Sequence, residues 1–261
     1  MMDADMEETR RLAVQVLENI RSRRPLVLSL TNSVVQAFTA NTLLAVGASP
    51  IMLTDEREVE EMLRSGCGGL LVNVGTLSAA QAGTMTIAAR TAHECGVPWV
   101  LDPVAAGLLS FRTAFCRELL PFRPSIIRGN PSEIISLSGV PTSSRGTESS
   151  VPASAAIDAA KSLALQSQAT VLVTGEVDYA TDGTAVHALR TGHPLMTRVT
   201  GTGCALGALC AACLPCAPSP LAAARAAAYL MGEAGRRAAE RTNAPGSFAI
   251  ALLDELAADL G

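Results

Sequence analysis

Lysine is almost missing from this chain: Lys161 is the only one among 261 residues. A phosphate loop of the Gly-Lys-Ser/Thr kind is therefore excluded, because it needs its lysine on the phosphates. Positive charge as a whole is in deficit, with 20 Lys and Arg against 24 Asp and Glu and a net charge of −4. That balance argues against a nucleic-acid surface, which is built from clustered basic side chains. Aromatic residues make up only 3% and charged residues 17%, while 49% are hydrophobic. The mixture describes an Ala-, Leu- and Val-rich folded protein, not a disordered one.

The stretch 199–224 carries no charge and has the length of a membrane helix. Pro215, Pro218 and Pro220, its glycines and its weakly apolar alanines speak against a membrane span. It reads better as a buried helix, a turn and a second helix. The first 24 residues are charged and amphipathic, with no apolar core or cleavage pattern of a secretory leader. A cytoplasmic protein with no membrane partner is expected. Seven cysteines (67, 95, 116, 204, 210, 213 and 216) are then expected as reduced thiols. Cys210, Cys213 and Cys216 fall on one Ala-rich helix without a second ligand pair downstream. They read as buried small hydrophobes, not as zinc ligands.

Short apolar runs at 26–30, 50–53, 70–74, 99–101, 125–127 and 171–174 alternate with helical patterns at 34–46, 56–64, 79–95, 114–120 and 153–166. This βα alternation predicts an α/β fold whose mostly parallel sheet is covered by helices on both faces. Runs at 178–181 and 185–189 flank Asp182-Gly183, a hairpin signal. From Gly203 onward nearly everything is helical. The Ser/Thr-rich stretch 141–150 reads as a mobile surface loop. One domain over 1–261 accommodates the whole pattern.

Ligands of open α/β sheets bind at the carboxyl ends of the strands. Polar or glycine-bearing residues stand there after nearly every run: Thr31-Asn32, Met52, Asn73 to Gly75, Asp102-Pro103, Arg128-Gly129-Asn130 and Thr174-Gly175-Glu176. Together they predict a shared binding rim. Gly201-Thr202-Gly203-Cys204 then leads into an apolar helix. A turn of this kind aims unpaired N–H groups and the helix dipole at an anion. Cys204 stands at its mouth, where a thiolate would be stabilised. Asn130 and Glu133 have the spacing of a capping box, and equally that of oxygens organising water around a hydrated magnesium ion. Arg128 is suited to gripping a phosphate. Asp102 is either a loop cap or a second acidic group of the site.

In order and spacing these stretches resemble hydroxyethylthiazole kinases, ribokinase-like enzymes of thiamine salvage. The resemblance is carried by Thr31-Asn32, Gly47-Ala48-Ser49-Pro50-Ile51-Met52, Asn73-Val74-Gly75-Thr76-Leu77, Leu101-Asp102-Pro103-Val104, Ile127-Arg128-Gly129-Asn130, Val173-Thr174-Gly175-Glu176, Gly201-Thr202-Gly203-Cys204 and Pro245-Gly246-Ser247-Phe248. It implies a ribokinase-like three-layer sandwich and ATP- and Mg2+-dependent phosphorylation of 4-methyl-5-(2-hydroxyethyl)thiazole. It further implies that Asn32, Met52 and Gly201 line the thiazole pocket. Arg128 and Thr174 would contact ATP, and Gly201, Thr202, Gly203 and Cys204 would form the anion hole. Cys204 would meet the acceptor hydroxyl, while Asp102, Asn130 and Glu133 would serve magnesium through water. A homotrimer is implied, with pockets between subunits. The chain departs from the family at Leu28, where a histidine is common. Kinases of pyridoxal or hydroxymethylpyrimidine, and a nucleotide-dependent dehydratase of hydrated nicotinamide cofactors, share the fold but normally carry Asp in place of Cys204. A non-catalytic binder is disfavoured by the intact Arg128, Asn130 and Glu133.

Overall fold

The structure, a computed structural model, describes residues 2–139 and 152–259; the stretch 141–150 lies outside them. In chain order the elements are α1 (Met2–Arg23), β1 (Leu26–Leu30), α2 (Gln36–Ala45), β2 (Ser49–Ile51), α3 (Glu56–Arg64), β3 (Gly69–Asn73), α4 (Ala79–Cys95), β4 (Trp99–Asp102), α5 (Ser110–Leu119), β5 (Ile126–Gly129) and α6 (Pro131–Ser138). They continue as α7 (Ile157–Ser167), β6 (Thr170–Val173), β7 (Asp178–Thr181), β8 (Val186–Leu189), α8 (Thr202–Cys213), α9 (Pro220–Arg241) and α10 (Pro245–Ala257), with short 3-10 turns between some of them.

One eight-stranded sheet runs in the order β2-β1-β3-β4-β5-β6-β7-β8. The first six strands are parallel, and β7 and β8 add antiparallel as the predicted hairpin. Period-two alternation divides each central strand between two cores. Val27, Leu71, Val100, Ile126 and Leu172 pack under α1, α2, α8, α9 and α10. Leu28, Leu70, Val72, Trp99, Leu101, Ile127 and Val171 pack against α3 to α7. The result is the three-layer arrangement expected, with apolar strands buried on both faces.

Helix α8 is the central helix of its layer. It carries no charge and is buried on almost every side, as a helix that is apolar all round must be. Small residues bring it close to the sheet: a Cβ on Gly69 would collide with the carbonyl of Ala211, and one on Gly207 would lie 3.1 Å from Leu71. Cys210 and Cys213 are buried in it, and burial pushes the Cys210 thiol up to about 12. No helix among the described residues is long and apolar enough to cross a membrane.

Several boundaries differ from the sequence expectation for local reasons. β2 closes at Ile51 and contains Pro50, which is tolerated because β2 is an edge strand. α2 begins only at Gln36, because Val35 offers no side chain to cap it. α5 begins at Ser110, ahead of the expected 114, with Thr113 bonding back to the Leu109 carbonyl. Leu28 is fully buried in the apolar cluster beneath α3 to α7 and pairs in the sheet with Ile51 and Leu70.

Candidate active site

The strand order reverses direction between β1 and β3, the place where an open sheet offers a crevice. The chain leaves β1 toward α2 in one layer and leaves β3 toward α4 in the other. Asn32 and Asn73 stand at those two exits. Asn32 Nδ2 donates to Asn73 Oδ1 at 3.0 Å and to Cys204 Sγ at 3.4 Å. Asn73 Nδ2 donates to Asp102 Oδ2 at 2.6 Å. Asp102 lies 3.5 Å from Arg128 Nη1, and Arg128 Nη2 donates to Thr174 Oγ1 at 2.9 Å. A continuous polar chain therefore crosses the carboxyl ends of β1, β3, β4, β5 and β6, directly before α8.

The N-terminus of α8 faces this chain. Gly201 occupies the cap position with φ 96°, a left-handed conformation that favours glycine. It has no side chain to cap the helix, and a Cβ there would lie 2.7 Å from Val35 Cγ1. A Cβ on Gly203 would lie 2.6 Å from Arg128 Nη2, so the guanidinium sits against the helix start. Backbone N–H groups and a cation thus converge on one spot, as anion recognition requires.

Burial sets the charge states. Asp102 is fully buried, and burial lifts its pKa to about 7; the Glu133 carboxylate adds to this, while Arg128 and Asn73 oppose it. Its Oδ1, like Arg128 Nε, finds no hydrogen-bond partner among the described residues. Burial also opposes charge on Arg128, but Asp102 and Glu133 hold it protonated. Asp178 reaches about 6 by burial, against the Gly175 N–H and Arg128. Burial and the Asp102 carboxylate push the Cys204 thiol above its ordinary range, more than Asn73, Arg128 and Asn32 pull it down. The thiolate that a helix start would stabilise is therefore not favoured: burial and the Asp102 carboxylate hold Cys204 in its thiol form.

Asn130 and Glu133 form the capping box of α6: Asn130 Oδ1 accepts from Glu133 N–H at 3.0 Å and Glu133 Oε2 from Asn130 N–H at 2.8 Å. Glu133 Oε1 also accepts from Ala105 N–H at 2.9 Å, which ties the loop after β4 to α6. The carboxylate stands next to the polar chain, close enough to shift Asp102. Met52 follows β2, half-buried, and is not part of the hydrogen-bonded chain. Asn73, legible from the sequence as a polar strand end and as part of the resembling stretch 73–77 but given no role there, joins Asn32 to Asp102 in the site.

A model of the Hydroxyethylthiazole kinase family matches residues 17–259. A protein named hydroxyethylthiazole kinase from Akkermansia muciniphila is 54% identical over 240 residues, covering 92% of this chain and 89% of its own length. The solved structure of a hydroxyethylthiazole kinase protein from Pyrococcus horikoshii OT3 superposes with a TM-score of 0.87 at 40% identity, covering 95% of this chain and 93% of that one. A pyridoxal kinase from Staphylococcus aureus, solved with AMP-PCP and pyridoxal, shares the fold at a TM-score of 0.63 and 18% identity, over 82% of this chain and 88% of that one.

Proposed function

From the membership of this chain in the hydroxyethylthiazole kinase family, we infer how its rim divides the work of the reaction. The protein is a kinase that phosphorylates the hydroxyl of 4-methyl-5-(2-hydroxyethyl)thiazole, with ATP as donor. The observation that carries the assignment of roles is the uncapped start of α8, set between Arg128, whose side chain is 13% exposed, on one side and the Asn32–Cys204 pair on the other.

Phosphoryl transfer needs positioning and charge stabilisation more than covalent chemistry. In our reading Arg128 and Thr174 hold the ATP phosphates. The N–H groups of Gly201, Thr202, Gly203 and Cys204 receive charge that develops on the transferring oxygens; each such donor is worth up to a few kcal/mol. Asn32, Met52 and Gly201 line the acceptor pocket, and Cys204 orients the acceptor hydroxyl as a neutral thiol. The donor set fits a hydrated magnesium ion held through water: both Glu133 oxygens already accept from backbone N–H groups but keep lone pairs for water. Asn130 and Asp102 complete that set, and the ion when bound would neutralise phosphate charge.

The reading treats 1–261 as one kinase domain, which the continuous eight-stranded sheet supports. It takes the enzyme as a cytoplasmic homotrimer. Exposed Val34 beside the start of α2, Leu44 on α2 and Ile250 on α10 support packing between copies across these two helices, which contact each other.

An ADP-release assay over a panel of small alcohols tests the substrate. The thiazole alcohol is expected to give ATP-dependent turnover, and pyridoxal and hydroxymethylpyrimidine only background. Turnover with either of those and none with the thiazole would overturn the assignment.

A further inference from the structure

Asn73 and Asp102 end neighbouring parallel strands as register partners, and both are fully buried. Backbone donors settle how the amides of this cluster are turned. The N–H of Gly75 donates to Asn73 Oδ1 at 3.0 Å, so that atom is the acceptor and Nδ2 is the one facing Asp102. The N–H of Val34 donates to Asn32 Oδ1 at 3.2 Å, which turns Asn32 Nδ2 toward Asn73 Oδ1 and Cys204 Sγ. Each Asn32 amide hydrogen then has its own acceptor. A Cβ on Gly75 would lie 2.8 Å from Asn32 Cβ and Nδ2, so the loop after β3 clamps the same amide sterically.

We propose that Asn73 is a positioning residue for the acceptor half of the reaction: it fixes the Asn32 carboxamide and with it the Cys204 thiol, where the acceptor hydroxyl must sit. The inference rests on the reading that Asn32 and Cys204 serve the acceptor. Asparagine is the side chain this place demands. Its oxygen takes the two donors of Asn32 and Gly75, while its nitrogen meets the Asp102 carboxylate. Aspartate would set one carboxylate against another, and leucine keeps the volume without either function. The ATP side of the rim, Arg128 with Thr174, is joined to Asn73 only through Asp102.

Steady-state kinetics of Asn73→Leu, Asn73→Ser, Asn32→Ala and the Asn32→Ala/Asn73→Ser pair test the role. KM does not depend on the fraction of enzyme that is folded, and serine offers a milder change if leucine prevents folding. With Asn73 replaced, the acceptor KM is expected to rise roughly five- to tenfold, the scale of one hydrogen bond, with the ATP KM within about twofold of wild type. Added to Asn32→Ala, Asn73→Ser is expected to raise the acceptor KM by less than it does in the wild type, because the two changes share the Asn32–Asn73 contact. Equal rises in both KM values, or full additivity with Asn32→Ala, would overturn the positioning role while leaving the acceptor reading intact. An acceptor KM unchanged in Asn32→Ala would instead sink that reading and this inference together.

Discussion

A neutral thiol limits what Cys204 can do. With burial and Asp102 both disfavouring the thiolate, Cys204 is poorly suited to take the acceptor proton at neutral pH, which fits the orienting role proposed for it. Cys204→Ala is therefore expected to lower kcat on the order of tenfold without abolishing turnover, since general-base assistance would be worth more. Cys204→Asp, which offers a better proton acceptor at the same place, is expected to retain or raise kcat. Full activity in Cys204→Ala would make the residue a spacer. Asp102 links the site to stability. Its pKa rises from 3.8 toward about 7 on folding, so between those values the folded state binds more protons than the unfolded one. Its contribution is fully present below the lower value and declines as pH rises toward about 7, by at most about 4 kcal/mol. Denaturant titrations at pH 5 and pH 8 should show a larger loss in the wild type than in Asp102→Asn; equal losses would contradict a buried, proton-binding Asp102.

At the scale of elements, two helix starts carry the site and were legible to different degrees. The α6 start was readable, because Asn130 and Glu133 obey a local rule at a spacing of three. Asn130→Ala should cost about 1 kcal/mol in denaturation, and Asn130→Asp less, as for other caps. The α8 start was readable as a glycine turn, but the guanidinium against Gly203 was not: Arg128 comes from another element, and no local pattern announces it. Gly203→Ala is expected to push Arg128 from Thr174 and raise the ATP KM several-fold, read from initial rates, with the acceptor KM little changed. Where helices lacked capping signals the boundaries slipped. α2 and α5 start at residues whose neighbours, Val35 and Leu109, make no side-chain cap, so nothing in the sequence marks the turn into the helix.

At the scale of the whole molecule, the alternation of strands and helices was enough to give the sheet and its two covering layers, because each central strand must feed two cores. The polar chain across the rim was only half legible. Its members stood at the strand ends, but their pairing depends on register between strands: Asn73 meets Asp102 across β3 and β4. That register arises from the sheet as a whole and also buries the two residues, so neither the bonds of Asn73 to Asn32 and Asp102 nor the proton affinity of Asp102 could be read from a linear pattern. Light scattering in solution should report three copies, and a monomer at micromolar concentration would contradict the proposed assembly. A crystal structure with a non-hydrolysable ATP analogue and the thiazole alcohol bound together would show where both substrates sit on the rim. The terminal phosphate is expected at the N–H groups of Gly201 to Cys204 with Arg128 beside it, and the acceptor hydroxyl between Asn32 and Cys204. A nucleotide or alcohol bound away from that rim would contradict this placement.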